Sequence, residues 1–336
     1  MASEFLLENS SVRRALEIVA EPWTFLVLRE AWFGIRRFDH FRETLGIPRG
    51  TLTARLKHLV AEGLLGRVRY QDRPPRHEYR LTERGDDMYR PMIVILRWGD
   101  RWLAGPSGPP VVLIHEACGR ETFADVACSH CVATIDPYQV AHRPGPGAGL
   151  EPRPETPRMR RTTRPDNLTR PRADSVARTM AIIGDRWSFL LIREAFYGTH
   201  RFDEVRRKIG IASNILSDRL QRLVEAGVFE RQPYADGGKR LEYRFTEKGR
   251  DLYPSMLALM AWGDRWIAGA GGKPTDLHHT ACDHDFEPVV VCHECREEIV
   301  VRDMTYRTGP GWDVTLGEGL LGVSGVKRAS TAAPGA

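Results

Sequence analysis

The 336-residue sequence predicts an α+β fold, mainly helical and built twice. Three observations predict it. First, shifted by 164 residues the sequence overlays itself: "WTFLVLREAWFGIRRFD" at Trp23 becomes "WSFLLIREAFYGTHRFD" at Trp187. So long a period is a duplicated domain rather than a solenoid repeat. Second, each copy reads as short amphipathic helices, then two strand-like runs, then a long apolar helix. Third, each copy ends in H-x2-C-x9-C-x2-C, at His115–Cys131 and again at His279–Cys295.

The elements follow in order. Val12, Ala15, Leu16 and Val19 stand at helical spacing. Pro22 opens a second helix through Phe33, since proline is tolerated in a first turn, and Gly34 ends it. Asp39 is expected to cap a short third helix holding Phe41 and Leu45. "GIPRG" is a turn. From Gly50 to Glu62 a fourth helix puts Leu52, Leu56, Leu59 and Val60 on one face, and Gly63 terminates it. "LLGRVRY" and "HEYRLT" flank "QDRPPR" as an exposed hairpin. One long helix is expected over Glu83–Ala104. Helices, a hairpin and a helix in this order make a winged helix-turn-helix.

The last helix has two apolar stripes. Tyr89, Met92, Ile93, Leu96 and Leu103 form one; Pro91, Ile95, Trp98 and Trp102 form the other. Leu259, Trp262 and Trp266 repeat the pattern in the second copy. A helix apolar on two faces must bury both, so one face needs a partner outside its own domain.

In a helix-turn-helix the second helix of the motif enters the major groove and its N-terminal residues reach base edges. With the apolar face of the fourth helix taken, Arg49, Thr51, Thr53, Ala54, Lys57 and His58 are left outside or at its edge. Arg49 suits guanine; Thr53 and Lys57 suit phosphates or base edges. In the second copy the same places hold Ser213, Asn214, Ser217, Asp218, Gln221 and Arg222, of which Asn214 or Gln221 suits adenine. Two unlike half-sites are therefore expected. Arg73, Arg76 and His77 in the first wing, and Lys239 and Arg240 in the second, are assigned to backbone or minor-groove contacts that give salt-dependent affinity.

All six cysteines lie in the two Cys/His elements. The metal candidates are His115, Cys118, Cys128 and Cys131, then His279, Cys282, Cys292 and Cys295. Three thiols and one imidazole form the donor set of a tetrahedral structural zinc site, so each copy is expected to carry a small zinc-ribbon-like β element and the chain two zinc ions. His130, His284 and His293 lie nearby and could replace a named ligand; by default they are taken as ordinary exposed histidines. A redox switch is the rival, each C-x2-C closing a disulfide and releasing metal.

The residue blocks implied are 1–107 and 174–270 for the winged helices and 108–141 and 271–317 for the Cys/His elements. A basic, flexible linker is expected over 142–173 and a disordered tail over 318–336. The net charge of +5 is compatible with nucleic acid without proving it. No stretch approaches the roughly 18 apolar residues of a membrane span and no signal peptide opens the chain, so a soluble cytoplasmic, nucleoid-associated protein is expected.

Taken together, these motifs resemble the HxlR-type winged-helix transcriptional regulators of bacteria. The likeness lies in W-[ST]-F-L-x-[LI]-R-E-A at Trp23 and Trp187, R-F-D at Arg37 and Arg201, and L-[TS]-x-R-L at Leu52 and Leu216. E-Y-R-[LF]-T at Glu78 and Glu242 and W-G-D-R-W at Trp98 and Trp262 complete it. It covers about residues 10–105 and 174–270. The resemblance implies double-stranded DNA as partner and dimerisation through the first and last helices. One chain thus looks like a fused dimer, with a further homodimer still open. Some members sense thiol-reactive compounds through a cysteine just before the first helix; Ser10 and Asp174 stand there instead.

Two other classes compete: a zinc-stapled protein-interaction scaffold and a thiol-redox-responsive protein. Arginine in the wings favours DNA over the scaffold. C-x2-C without a thioredoxin-like order around it, no phosphate-binding glycine loop and no nucleophile elbow argue against an enzyme.

Overall fold

The computed structural model describes residues 6–152, 175–233 and 241–312. The first copy runs β1 (Leu6–Glu8), α1 (Ser11–Val19), α2 (Pro22–Trp32), α3 (Phe38–Leu45), α4 (Arg49–Ala61), β2 (Leu65–Gln71), β3 (Arg76–Leu81), α5 (Glu83–Asp87) and α6 (Tyr89–Leu103). It continues with β4 (Val111–His115), β5 (Arg120–Thr122), β6 (Ala124–Cys128), β7 (Val140–Pro144) and β8 (Leu150–Pro152). The second runs α7 (Ser175–Ile183), α8 (Arg186–Phe196), α9 (Phe202–Ile209), α10 (Ser213–Glu225), β9 (Phe229–Pro233), β10 (Leu241–Phe245), α11 (Glu247–Arg250) and α12 (Tyr253–Ile267). It ends with β11 (Thr275–His279), β12 (His284–Phe286), β13 (Pro288–Cys292) and β14 (Met304–Thr308).

Each winged helix forms as its pattern requires. Leu52, Leu56 and Leu59 are buried on one side of α4, as are Leu216, Leu220 and Leu223 on α10. The wings are antiparallel pairs, β2 with β3 and β9 with β10. A main-chain bond from Tyr79 N to Arg36 O (2.8 Å), repeated from Tyr243 N to His200 O (3.0 Å), pins each wing to the loop before α3 or α9. The same contact corrects one expectation. The cap of α3 is Arg37, held extended by its bridge to Glu78, and Asp39 lies in the first turn.

The long helix expected over Glu83–Ala104 is two helices, broken at Met88. Pro91 lacks an N–H and its ring clashes with the carbonyl four residues back, that of Asp87, where α5 ends. Pro254 acts likewise on Arg250, the last residue of α11.

The described residues fall into two compact units, and neither unit is one copy. Among the described residues the first gathers 6–20, 126–152, 180–233 and 241–289; the second gathers 21–125, 175–179 and 290–312. In the first unit α1 packs on α12. Arg14 Nη1 donates to Ile267 O (2.9 Å), and the Ser11 hydroxyl donates to Asp264. In the second unit the start of α7 packs on α6. Arg178 Nη1 donates to Leu103 O (2.9 Å), and the Ser175 hydroxyl donates to Asp100. The glycine of W-G-D-R-W exists for this approach: a Cβ on Gly99 would stand 2.4 Å from Ser175 O, and one on Gly263 2.6 Å from Ser11 O. Trp98 and Trp262 are 1% and 2% exposed beside them. The second apolar face of each last helix thus meets the first helix of the other copy.

The small sheets mix the copies too. In the second unit the order is β14-β4-β5, and in the first β12-β11-β7, all antiparallel. Part of the expected linker is therefore structured. Val140–Pro144 pairs with β11, and Leu150–Pro152 pairs with β1. Pro and Gly disguise these strands. Both prolines fall at the last residue of a short strand, where no ladder N–H is required of them. The rest of the expected linker, 153–173, and the expected tail, 318–336, lie outside the described residues.

Candidate metal centres and nucleic-acid interface

The eight Cys/His candidates come together as two tetrads, paired differently from the expectation. His115 and Cys118 of the first copy meet Cys292 and Cys295 of the second; Cys128 and Cys131 meet His279 and Cys282. In each tetrad all ligand atoms lie within 4.8 Å of one another. His115 Nδ1 is 3.6 Å from Cys118 Sγ and 3.3 Å from Cys295 Sγ, with Cys118 and Cys292 sulfurs 4.0 Å apart. His279 Nδ1 is 3.3 Å from Cys282 Sγ and 3.4 Å from Cys131 Sγ, with Cys128 and Cys282 sulfurs 3.9 Å apart. Tetrahedral bonds of about 2.3 Å to sulfur and about 2.0 Å to nitrogen require edges of about 3.5–3.8 Å, close to those seen. All six cysteines are free thiols.

The swap has a physical cause. Between Cys118 and Cys128 the chain forms β5 and β6 with no glycine or proline turn between them. An extended run of that length carries the C-x2-C pair away from its own H-x2-C at about 3.3 Å per residue.

Four matching turns present the ligands. The N–H of Gly119, Val132, Asp283 and Arg296 donates to the carbonyl of His115, Cys128, His279 and Cys292, at 2.8–3.0 Å. Each of these donors has φ between 57° and 67°. For Val132 this left-handed backbone is costly, because β-branched residues disfavour it. It is kept where something holds the turn. The thiols point to what that is. Burial and then neighbouring thiols push Cys282 and Cys295 up to about 11, while hydrogen bonds lower Cys131 and Cys292; a cation among the sulfurs would favour the thiolate form of all of them. The donors thus fit a tetrahedral metal ion of the zinc type, held by His Nδ1 and three sulfurs in each unit. Nε2 of His279 is buried without a hydrogen-bond partner, beside the Phe286 ring.

The supports around the tetrads differ. Near the second unit's tetrad, buried Asp125 receives Arg296 (2.9 Å), His293 Nδ1 (2.8 Å) and Arg97 (3.6 Å). His293 also stacks on Phe123, ring centroids 4.0 Å apart, so it is no free surface histidine. The matching places in the first unit are Val289, Val132, Ser129 and Ala261.

On the candidate nucleic-acid face, α4 exposes Arg49, Thr53 and Lys57, while Thr51 is half-buried. Thr53 Oγ1 donates to Arg49 O (2.9 Å), within its own helix. On α10, Ser213, Asn214, Ser217, Gln221 and Arg222 are exposed. Gln221 Nε2 donates to Glu225 (2.6 Å) and its oxygen accepts from Arg231; Arg222 pairs with Asp218 (3.1 Å). Arg73 and Arg76 are exposed in the first wing, and the strand before them adds exposed Arg67 and Arg69, which the motif-based reading passed over. Alternation along β2 was the signal that could have found them. Lys239 and Arg240 lie outside the described residues. α4 and α10 are each anchored to the helix behind: Arg55 faces Glu21, the cap of α2 (3.6 Å), and Arg219 faces Asp185, the cap of α8 (2.9 Å).

Two helix-turn-helix units with basic wings define the class of DNA-binding transcriptional regulators. The chain belongs to the HxlR-like helix-turn-helix family, which matches residues 18–106 and 182–270, just over half of its length. It is 50% identical over 140 residues to an uncharacterized HTH-type transcriptional regulator of Mycobacterium tuberculosis, covering 42% of this chain and 89% of that protein. A second such regulator, from Synechocystis, is 36% identical over 27% of this chain and 69% of its own. The solved structure of PA1607 is 35% identical, covering 41% of this chain and 85% of that one, with a TM-score of 0.27. Among the described residues no helix is long and apolar enough to cross a membrane.

Proposed function

We propose that this transcriptional regulator is a dimer fused into one polypeptide, reading two unlike half-sites with α4 and α10 and steadying itself on phosphates through the wings. The observation that supports it most is the exchange of first helices: α1 seals the last helix of the second copy, and α7 that of the first. A homodimer would make these contacts between chains; here one chain supplies both. Arg49, Thr51, Thr53 and Lys57 read one half-site with Arg73 and Arg76 on its backbone. Ser213, Asn214, Ser217, Gln221 and Arg222 read the other, with Lys239 and Arg240 in its wing. Zinc fills both tetrads as a structural ion, since each has four protein donors and no place left for a substrate.

The test is selection of genomic fragments by the purified protein, followed by footprinting at two salt concentrations. The expected outcome is one motif of two dissimilar halves about one helical turn apart, bound more weakly as salt rises. Uniform weak binding with no motif from folded, zinc-loaded protein would overturn it.

A further inference from the structure

Beside the first unit's tetrad stand two histidines that the tetrad does not use. His130 and His284 stack at a centroid distance of 3.5 Å and an interplanar angle of 16°. Both are exposed. One ring nitrogen of each histidine and Cys282 Sγ lie within 4.8 Å of one another. His284 Nδ1 donates to Cys282 O, which fixes the tautomer and leaves the lone pair of Nε2 for a ligand. A thiolate keeps lone pairs after binding one ion and can bridge to a second.

The second unit provides an internal comparison. The places matching His284 and His130 are Arg120 and Glu294, which form an ion pair at 3.4 Å. One pair of positions therefore closes on itself by opposite charge. The other brings together two imidazoles and a sulfur.

We infer that the first unit carries an additional, exchangeable site for a borderline divalent transition metal such as zinc or cobalt, formed by His130, His284 and the bridging thiolate of Cys282. Two imidazoles and a thiolate suit that class of ion and not magnesium or calcium. The site stands open to solvent, so it can respond to the free concentration of its metal while the tetrads stay filled. It touches the proposed structural ions only through Cys282.

The test uses the full chain, washed with a weak chelator and titrated with zinc, the ions per chain being counted by native mass spectrometry. The expected result is two tightly held ions and a third that appears reversibly as zinc is raised. In His130→Glu/His284→Arg, which copies the other unit's pair, the third is lost and the first two stay. His130→Ala/His284→Ala should behave the same without added charge. Two ions at every zinc concentration, or a third ion surviving in both variants, overturns the inference. No tightly held ions, but one reversible ion that both variants abolish, contradicts the structural-zinc reading and leaves this site standing.

Discussion

The two Cys/His elements hold the same donor set on matching turns, yet their surroundings differ. The second unit braces its tetrad with a buried carboxylate, Asp125, gathering Arg296, Arg97 and His293. The first unit puts small and apolar residues in those places and sets a histidine pair at the rim. The helices α4 and α10 diverge in the same way. From Arg49 to Ala61, α4 carries Arg49, Arg55 and Lys57 and no acid, whereas α10 offsets Arg219 and Arg222 with Asp218 and Glu225. Duplication within one chain removes the symmetry that a homodimer imposes. Backbone and ligands stay matched, while each supporting side chain serves only one place.

The largest effect should come from Cys128→Ser with Cys131→Ser. With the exchanged pairing these substitutions empty the tetrad of His279 and Cys282 and spare that of His115 and Cys118. Loss of a structural zinc removes stabilisation on the order of 10 kcal/mol. Metal content should fall by one structural ion per chain. Thiol labelling of the folded remainder should reach Cys282 and spare Cys118, and labelling of Cys118 instead would break the comparison.

Next in size is Asp125→Ala. Removing one partner of a buried charge cluster leaves Arg296 short of its counter-charge, at a cost of about 3–5 kcal/mol. Asp125→Val with Arg296→Val, His293→Ser and Arg97→Ala copies the first unit and should recover most of that loss in denaturant unfolding. No recovery would mean the two supports are not equivalent solutions.

Asp264 gives a pH-dependent effect. Burial raises its carboxyl to about 6 where it accepts from Ser11. Its folded value exceeds the unfolded one, so its contribution is full below about pH 4 and is lost as pH rises through about 6. Asp264→Asn should flatten the stability profile in that window. An unchanged slope would contradict this reading of the α1–α12 contact.

The smallest effects concern salt. Lys57→Ala should lower the slope of log affinity against log salt by about 1 unit, since each phosphate that a cation neutralises adds about 0.9. Arg222→Ala, already paired with Asp218, should lower it by less than about 1 unit. Equal slopes would erase the contrast between α4 and α10.

Much of this was legible in the sequence. Leucine spacing fixed α4 and α10, the wing runs alternate, and the second apolar stripe of α6 announced a partner. The break at Met88 was legible too, since Pro91 points to Asp87, but the helical pattern runs through it. The exchange of ligand pairs was not legible. Spacing within H-x2-C-x9-C-x2-C says which atoms are donors, and only the path of β5 and β6 decides whose donors meet. β7 and β8 hid for a related reason: "HRPGPGAGLEP" has linker composition, and its strands exist because β11 and β1 offer edges to pair with. Nor does any local pattern tell His130 and His284, which converge, from other surface histidines.

The central claim is that one chain does the work of a dimer. Native mass spectrometry of the protein on its selected DNA, with footprinting of the same complex, tests it most directly. The account predicts one chain per site, protecting two unlike half-sites about one helical turn apart. Two chains on a palindrome of like half-sites would contradict it.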